Sequence, residues 1–285
     1  MTKYFQIGAM MDSFRLPTRE AIKKVAEVGA TGFQMYSTNG ENSPENLTKE
    51  KRRELLKYIK DCGLRVSAIC GDLGQGFGNA EKNPALIEKS KRIMELAKDM
   101  ETDIVTTHIG VVPEDSSNPR YAVMQEACRQ LAEAADSMEA HFAVETGPER
   151  AAVLKAFLDS LNSKGVAVNL DPANLVMVTG DDPVQAVYTL KEYIVHTHAK
   201  DGVKLYDKDP EIIYGLVKDD ALVTSPAFRE VALGEGSVDF DNYLKALHDI
   251  GYNGFLTIER EVGGDPAGDI KKAVVFLKEK IEKLF

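Results

Sequence analysis

Short β-branched runs alternate with longer amphipathic segments along the whole chain, eight of each, and this alternation restricts the fold more than any other feature. The predicted strands are 5–9, 32–36, 65–69, 104–108, 142–145, 167–171, 194–198 and 255–259. The predicted helices are 18–27, 48–61, 84–98, 121–137, 149–161, 182–191, 239–249 and 268–283. Strands that alternate with helices form a parallel sheet with right-handed crossovers. Eight such units in about 250 residues are typical of a (β/α)₈ barrel.

A doubly wound Rossmann sheet is the competing arrangement, but it usually carries a glycine-rich fingerprint after its first strand. Here the first strand runs into GAMMDSF, which lacks that fingerprint. No break in composition and no Pro- or Ser-rich linker divides the 285 residues. The sequence therefore predicts an α/β fold in one domain, a TIM barrel that spans residues 1–285.

One connection is much longer than the others. About forty residues separate His198 from the predicted helix that starts at Asp239, whereas a βα loop usually has about two to six. We expect this loop, residues 199–238, to act as a lid or a specificity element on the catalytic face of the barrel. A surface embellishment or a subunit contact is the alternative.

Acidic or imidazole side chains end the last four predicted strands: Glu145, Asp171, His198 and Glu259. The carboxyl ends of barrel strands face one mouth, so the four groups would converge there. Three carboxylates and one imidazole form a hard ligand set that suits a divalent cation. A structural ion pair is an alternative for any one of them, but four separate ion pairs explain four residues in register poorly.

Further polar groups lie near these ends. His196 points to the same face as His198, one layer deeper, and is expected to be a hydrogen-bonded core residue or a support for the ligands. Glu261 is expected to orient Glu259 or to be solvated. The first four strands lead to other candidate sugar contacts, each with an ordinary structural role as the alternative: Tyr36, Asp72 and His108.

Composition limits the partners. The net charge of −10 disfavours nucleic acid, because affinity for it depends largely on phosphate contacts from Lys and Arg. No apolar run approaches a membrane span, and the first residues do not resemble a secretory signal, so no membrane partner is expected. The three cysteines form no CxxC pair, and a cytoplasmic protein with free thiols is the simplest interpretation.

Four segments, LDPANL, HTHAKD, LGEGSVDF and FLTIERE, resemble the xylose isomerase-like, sugar phosphate isomerase/epimerase superfamily of TIM barrels. The resemblance covers nearly the whole chain but does not specify a substrate, since the superfamily includes ketohexose 3-epimerases, inosose dehydratases, hydroxypyruvate isomerases and endonuclease IV. It implies that one metal ion is held by Glu145, Asp171, His198 and Glu259. It also implies that Glu145 and Glu259 are the acid/base pair and that His108 is an active-site histidine.

The sequence departs from this superfamily at Asn174, where the epimerases and endonuclease IV often carry a histidine. A substrate-binding group is therefore changed at Asn174, which argues against close identity with the ketohexose 3-epimerases. Endonuclease IV needs further histidines for a three-zinc cluster, and this chain has five in total, so DNA repair is disfavoured.

The predicted site favours proton transfer next to a carbonyl group. Mn²⁺, Mg²⁺ or Co²⁺, with Zn²⁺ as a further alternative, would stabilise the negative charge that develops as the α-proton leaves. Glu145 and Glu259 could remove a proton from one face and return one to the other through an enediolate. The leading interpretation is a metal-dependent isomerase or epimerase of a keto-sugar or related polyol, and dehydration of an inosose-like ketone is second.

Other interpretations are weaker. The few histidines argue against a multi-metal hydrolase, and a non-catalytic sugar-binding protein would be expected to have lost ligands. No strong phosphate site is visible: the glycine pair in EVGGDPAGDI is more simply a turn, although Lys200, Lys204 and Arg260 could supply charge to a substrate. The resemblance implies a homodimer or homotetramer.

Overall fold

The computed structural model describes residues 4–219 and 225–285 and shows a closed barrel of eight parallel strands. The barrel strands are β1 (Gln6–Met10), β2 (Gly32–Tyr36), β3 (Arg65–Cys70), β4 (Ile104–Thr107), β5 (His141–Glu145), β6 (Val166–Leu170), β7 (Ile194–Ala199) and β10 (Phe255–Ile258). They follow one another around the barrel in chain order, and β10 closes it against β1. The predicted TIM barrel is confirmed. Residues 1–3 and 220–224 lie outside the described residues, so the extent of the domain over 1–285 stays a prediction.

Helices lie around the barrel and in its loops. They are α1 (Thr18–Glu27), α2 (Lys49–Asp61), α3 (Asn83–Asp99), α4 (Pro119–Ser137), α5 (Ala151–Leu161), α6 (Pro172–Asn174), α7 (Pro183–Leu190), α8 (Pro210–Ile213), α9 (Phe240–Asp249) and α10 (Pro266–Leu284). Their apolar faces include fully buried side chains: Ile22, Ile59, Ile93, Leu131, Phe157, Leu244 and Leu277. Burial of this apolar surface is the main driving force for the fold. Over the described ranges, no helix is long and apolar enough to cross a membrane.

Three helix starts differ from the prediction by two residues: α4 begins at Pro119 rather than at 121, and the starts of α5 and α10 also differ. Asp265 Oδ1 accepts a hydrogen bond from Gly268 N at 2.9 Å, and α10 begins at Pro266 rather than at 268. A capping carboxylate followed by proline satisfies a free amide and fixes the first helical φ angle. The helix predicted from 149 begins at Ala151, which leaves Glu149 in the preceding loop.

The loop after β7, residues 199–238, contains a hairpin that was not predicted. In it β8 (Asp201–Lys204) pairs antiparallel with β9 (Phe228–Val231), as a two-stranded sheet separate from the barrel. The short helix α8 lies between the two strands in the chain. Positions 220–224 of the predicted lid lie outside the described residues. We call residues 199–238 the strand-7 loop.

One buried carboxylate holds both ends of the strand-7 loop. Asp201, which is 1% exposed, accepts through Oδ1 from Gly202 N at 2.9 Å and Val238 N at 3.1 Å. Its Oδ2 accepts from Gly234 N at 3.0 Å and Gly236 N at 2.9 Å. We call these four N–H groups the amide nest. Position 236 has to be glycine because a Cβ there would lie 2.1 Å from Asp201 Oδ1.

Candidate active site

Four ionisable side chains meet at the carboxyl ends of β5, β6, β7 and β10: Glu145, Asp171, His198 and Glu259. Each offers one ligand atom, these atoms lie within 4.8 Å of one another, and all four residues are buried. His198 Nδ1 lies 3.2 Å from an oxygen of Asp171, 3.5 Å from one of Glu145 and 3.4 Å from one of Glu259. The structure thus brings the four predicted ligands together.

The end of β6 shows how the local sequence directs a ligand into this cluster. Pro172 follows Asp171 and opens α6, so the strand cannot continue. Asp171 Oδ1 caps the new helix by accepting from Asn174 N at 2.8 Å. The other oxygen, Oδ2, is left to face His198.

A buried amide below the cluster fixes the orientation of His198. Its Nε2 donates to Gln34 Oε1 at 3.0 Å, and Gln34 Nε2 donates to Thr106 Oγ1 at 2.9 Å. Burial acts to lower the pKa of His198, but Glu259 and Glu145 raise it well above its usual value, so Nδ1 also carries a proton and donates to Asp171 Oδ2 at 3.2 Å. A metal ion at the cluster would take the place of that proton, and Nε2–H would stay bound to Gln34, which is the usual arrangement of a metal-binding histidine. Sequence reasoning missed Gln34, and its only signal is a lone amide within the apolar run GFQMY.

A second chain of hydrogen bonds starts at His196, which the structure places one layer below His198. Burial lowers the pKa of His196 well below its usual value, so the ring is neutral. Its Nδ1 donates to Asn169 Oδ1 at 2.9 Å, and its Nε2 accepts from Thr257 Oγ1 at 2.9 Å. Asn169 Nδ2 in turn donates to Glu145 Oε2 at 3.1 Å. His196 therefore supports a ligand through Asn169, another residue that sequence reasoning missed.

Lys200 is buried between two glutamates. Its Nζ donates to Glu259 Oε2 at 2.9 Å and to Glu261 Oε2 at 2.5 Å. Burial acts to lower the pKa of Lys200, but Glu259 and the other acidic neighbours raise it well above its usual value, so the amine stays charged. Burial raises the pKa of Glu259 to about 7, although Lys200 and His198 oppose the rise. Glu261 therefore acts on the orientation of Glu259 indirectly, through the lysine that donates to both carboxylates.

Glu145 is held from the other side of the barrel mouth. Its Oε1 accepts from Asn174 Nδ2 at 3.1 Å and lies 3.7 Å from His108 Nε2. His108 Nδ1 is hydrogen-bonded to Asp72 Oδ2 at 3.1 Å, and Nε2 has no hydrogen-bond partner among the described residues. Burial acts to lower the pKa of His108, but Glu145 and Asp72 raise it to about 9. For Glu145, burial acts to raise the pKa, but His108 and His198 bring it below its usual value.

A cavity of about 630 Å³ opens at the cluster, within the range of about 300–1,000 Å³ that is usual for small-molecule sites. Its lining includes all the predicted substrate contacts: Tyr36, Asp72, His108, Asn174 and Lys200. The strand-7 loop adds residues that were not predicted individually: Ile213, Tyr214, Pro226, Phe228, Arg229 and Glu230. The length of that loop was the only signal for them.

The donor set of the cluster fits a divalent cation. Carboxylate oxygens with one imidazole nitrogen suit Mg²⁺, Mn²⁺ or Co²⁺. Three buried carboxylates also require positive charge beside them, since an isolated buried charge is strongly unfavourable. Because Gln34 accepts the Nε2 proton of His198, Nδ1 is the atom of this ring that a metal ion would bind in place of a proton.

Glu149 is a buried carboxyl group outside the cluster. Its Oε2 accepts from Val112 N at 3.1 Å, and its Oε1 has no partner among the described residues. Burial raises the pKa of Glu149 from 4.5 to about 8. At pH values between 4.5 and about 8, Glu149 is protonated in the folded protein but ionised in the unfolded chain. The contribution of Glu149 to stability therefore falls as the pH rises through this window.

We expect Glu149→Gln to remove this part of the pH dependence. The free energy of unfolding of the wild type should fall relative to that of the variant from about pH 5 to about pH 8, by about 1.4 kcal/mol for each unit of pKa difference. Urea unfolding at several pH values measures this. Glu282→Gln, on an exposed position of α10, is the matched control. Parallel curves for wild type and Glu149→Gln would contradict the prediction.

Comparisons with known proteins agree with this geometry. Residues 22–280 match the family model described as xylose isomerase-like TIM barrel. L-ribulose-5-phosphate 3-epimerase UlaE of Escherichia coli O157:H7 is 23% identical in an alignment that covers 94% of this chain and 93% of that protein. A xylose isomerase domain protein from Planctomyces limnophilus superposes with a TM-score of 0.80 at 25% identity, covering 99% of this chain and 98% of that one. A D-tagatose 3-epimerase-like protein shares the fold, with a TM-score of 0.76 at 19% identity over 98% of both chains.

Proposed function

Since the chain belongs to the xylose isomerase-like TIM-barrel family, we propose that it epimerises or isomerises a keto-sugar or related polyol with one divalent metal ion as cofactor. The observation that carries this proposal is the buried cluster of three carboxylates and one imidazole at a cavity of about 630 Å³. The relative UlaE is named as a 3-epimerase of a sugar phosphate, which supports the same class of chemistry.

The metal ion would be held by Glu145, Asp171, His198 and Glu259. When bound, Mn²⁺, Mg²⁺ or Co²⁺, with Zn²⁺ as the alternative, supplies electrostatic stabilisation for negative charge on the oxygens of a ketone and its neighbouring hydroxyl. Gln34 contributes by keeping His198 in the tautomer that binds through Nδ1.

The two glutamates of the cluster carry the proton transfers. One carboxylate removes the proton next to the carbonyl and gives an enediolate, and the other returns a proton. Return to the opposite face of the same carbon gives the epimer, whereas return to the neighbouring carbon gives the isomer. Asn169 and Asn174 each donate to one oxygen of Glu145, and Lys200 donates to Glu259, so both carboxylates are held in fixed orientations.

His108 and the strand-7 loop act on the substrate. His108 presents Nε2 toward the cavity because Asp72 binds Nδ1, and a substrate oxygen can therefore accept its hydrogen bond. Tyr214 and Phe228 line the cavity from the strand-7 loop and would exclude water from the reacting atoms. Lys200 positions Glu259 rather than offering a free charge to the substrate.

Hydrogen exchange tests the proposal. The Mn²⁺-loaded protein is incubated in D₂O with a panel of ketoses and inososes, and the products are followed by NMR and mass spectrometry. We expect deuterium at the carbon next to the carbonyl, and the product distinguishes an epimerase from an isomerase or from the dehydratase alternative. EDTA should stop the exchange and added Mn²⁺ should restore it. No exchange with any ketone, with the metal confirmed by elemental analysis, would contradict the proposal.

A further inference from the structure

The hairpin of the strand-7 loop is held firmly at one side of the barrel mouth. Asp201 binds amides from both ends of the loop, as described above. On β9, the carboxylate of Glu230 accepts from Arg260 Nη1 at 2.7 Å and from Glu261 N at 3.1 Å. The side chains of Glu230 and Arg260 are only 6% and 12% exposed, so buried polar contacts join the hairpin to the end of β10.

The other part of the loop lacks such support. We call residues 207–217, which include α8, the α8 arm. No residue of the arm is buried. Among the described residues, the hydrogen bonds of its backbone all join one part of the arm to another. A segment with so few buried contacts can open locally at a low cost in free energy.

An ion pair joins the α8 arm to the barrel. Glu211 pairs with Arg120 of α4, and no other hydrogen bond or ion pair of the described residues connects the arm with the chain outside the strand-7 loop. Arg120 is fixed on its own side, since its Nη2 also donates to Val111 O at 3.4 Å. Its stem lies against Gly78, where a Cβ would come within 3.0 Å of Arg120 Cδ. The arm is thus attached to a rigid arginine by one pair, whose side chains are 22% and 32% exposed.

Tyr214 is the residue of the α8 arm that covers the active site. Its ring centre lies 5.9 Å from that of His108, and both residues line the active-site cavity. The Tyr214 hydroxyl lies close to Gly147, where a Cβ would come within 3.2 Å of it. Arg120 and Glu211 do not line this cavity. They therefore hold Tyr214 over a ligand without touching the ligand themselves.

A second cavity beneath the α8 arm gives it room to move. This cavity of about 400 Å³ lies between the arm and the loops that follow β4 and β5, and Pro210 and Glu211 form part of its wall. Val178 lines both this cavity and the active-site cavity, so the two are neighbours. Movement of the arm away from α4 would open the mouth of the barrel on the side of β4.

We propose that the α8 arm is a lid that opens and closes over the active-site cavity while the hairpin stays in place, and that the ion pair of Arg120 and Glu211 is its latch. The lid is thereby narrowed from the whole strand-7 loop to residues 207–217. Arg120 and Glu211 are positioning residues, which act on a ligand through Tyr214. The effect on turnover rests on the proposed function, whereas the opening of the arm is measured without a substrate.

Amide hydrogen exchange of the full chain, followed by mass spectrometry, measures this opening. Glu211→Gln keeps the shape of the side chain but removes its charge. We expect exchange in the α8 arm to become about two- to fivefold faster, the effect of losing a partly exposed ion pair, while exchange in β8 and β9 stays unchanged. Glu133→Gln is the matched control, because it removes an ion pair with Arg129 further along α4 and should change nothing in the arm.

A charge swap tests the pairing itself. Arg120→Glu alone places two acids together and should speed exchange in the arm more than Glu211→Gln does. Addition of Glu211→Arg to that variant restores a pair of opposite charges and should slow exchange again. With a ketose identified in the D₂O panel, we expect dissociation from Glu211→Gln to be about two- to fivefold faster than from the wild type.

Exchange in the arm that is equal in the wild type, Glu211→Gln and Arg120→Glu would overturn the latch. A rise in exchange of β8 and β9 together with the arm would overturn the separation of a mobile lid from a fixed hairpin. Faster exchange confined to the arm, with no α-proton exchange in any ketose, would support the lid while contradicting the proposed epimerase or isomerase activity.

Discussion

Replacement of Glu145 by glutamine is expected to lower ketose turnover by about a thousandfold or more. Glutamine has the shape of glutamate but cannot take up the α-proton. Its amide N–H₂ would also face Asn169 or Asn174, both of which donate hydrogen bonds to Glu145. Turnover and α-proton exchange with the substrate identified in the D₂O panel measure this loss, and elemental analysis gives the metal content.

Glu259→Gln is expected to give a loss of similar size, because Lys200 would lose one of its two charged partners and the cluster one carboxylate. Glu282→Gln makes the same chemical change on the surface of α10 and should leave turnover unchanged. Both site variants are assayed at saturating metal, so that weaker metal binding is separated from the loss of proton transfer. Near-wild-type activity in either one would show that this glutamate does not transfer the proton.

The second large effect is expected at Asp201. Asp201→Ala should lower the free energy of unfolding by about 3–5 kcal/mol, since the amide nest loses its acceptor and each buried donor without a partner costs about 1–3 kcal/mol. Water that enters the space would recover part of this. Chemical denaturation measures the change, and added formate, which resembles the lost carboxylate, should restore some of the stability.

Asp207→Ala is the matched control for Asp201, because it lies in the same loop but its side chain is 96% exposed. We expect no measurable change in the Tm of that variant. If Asp201→Ala proved as stable as Asp207→Ala, the carboxylate would not hold the two ends of the strand-7 loop together.

The barrel and its four central residues could be predicted from the sequence because both depend on local patterns. Each strand is an apolar run of a few residues, and each candidate ligand lies at or directly after the end of such a run. Parallel strands bring their ends together, so no distant contact had to be guessed to place Glu145 near Asp171. The helix starts were less predictable, since a cap such as Asp265 moves a boundary by two residues.

Contacts between distant segments could not be predicted in this way. Gln34 meets His198 across 164 positions of sequence, and a single amide in an apolar strand does not indicate its partner. Asp201 belongs to the segment HTHAKD and its amide nest mostly to LGEGSV, and both segments were visible without any sign that they touch. The strands β8 and β9 have four residues each, too few for a clear alternating pattern.

The filled amide nest also limits which changes in the strand-7 loop descendants of this chain could tolerate. Loss of Asp201 would leave four buried N–H groups without their acceptor and would weaken the fold at once. A lineage would therefore need a stabilising change elsewhere before this step could be tolerated. Substitutions in the cavity wall, such as at Ile213 or Phe228, carry no such requirement. We therefore expect close descendants to keep Asp201 and to differ in the cavity wall, and so in the size and shape of the ligand that the cavity accepts.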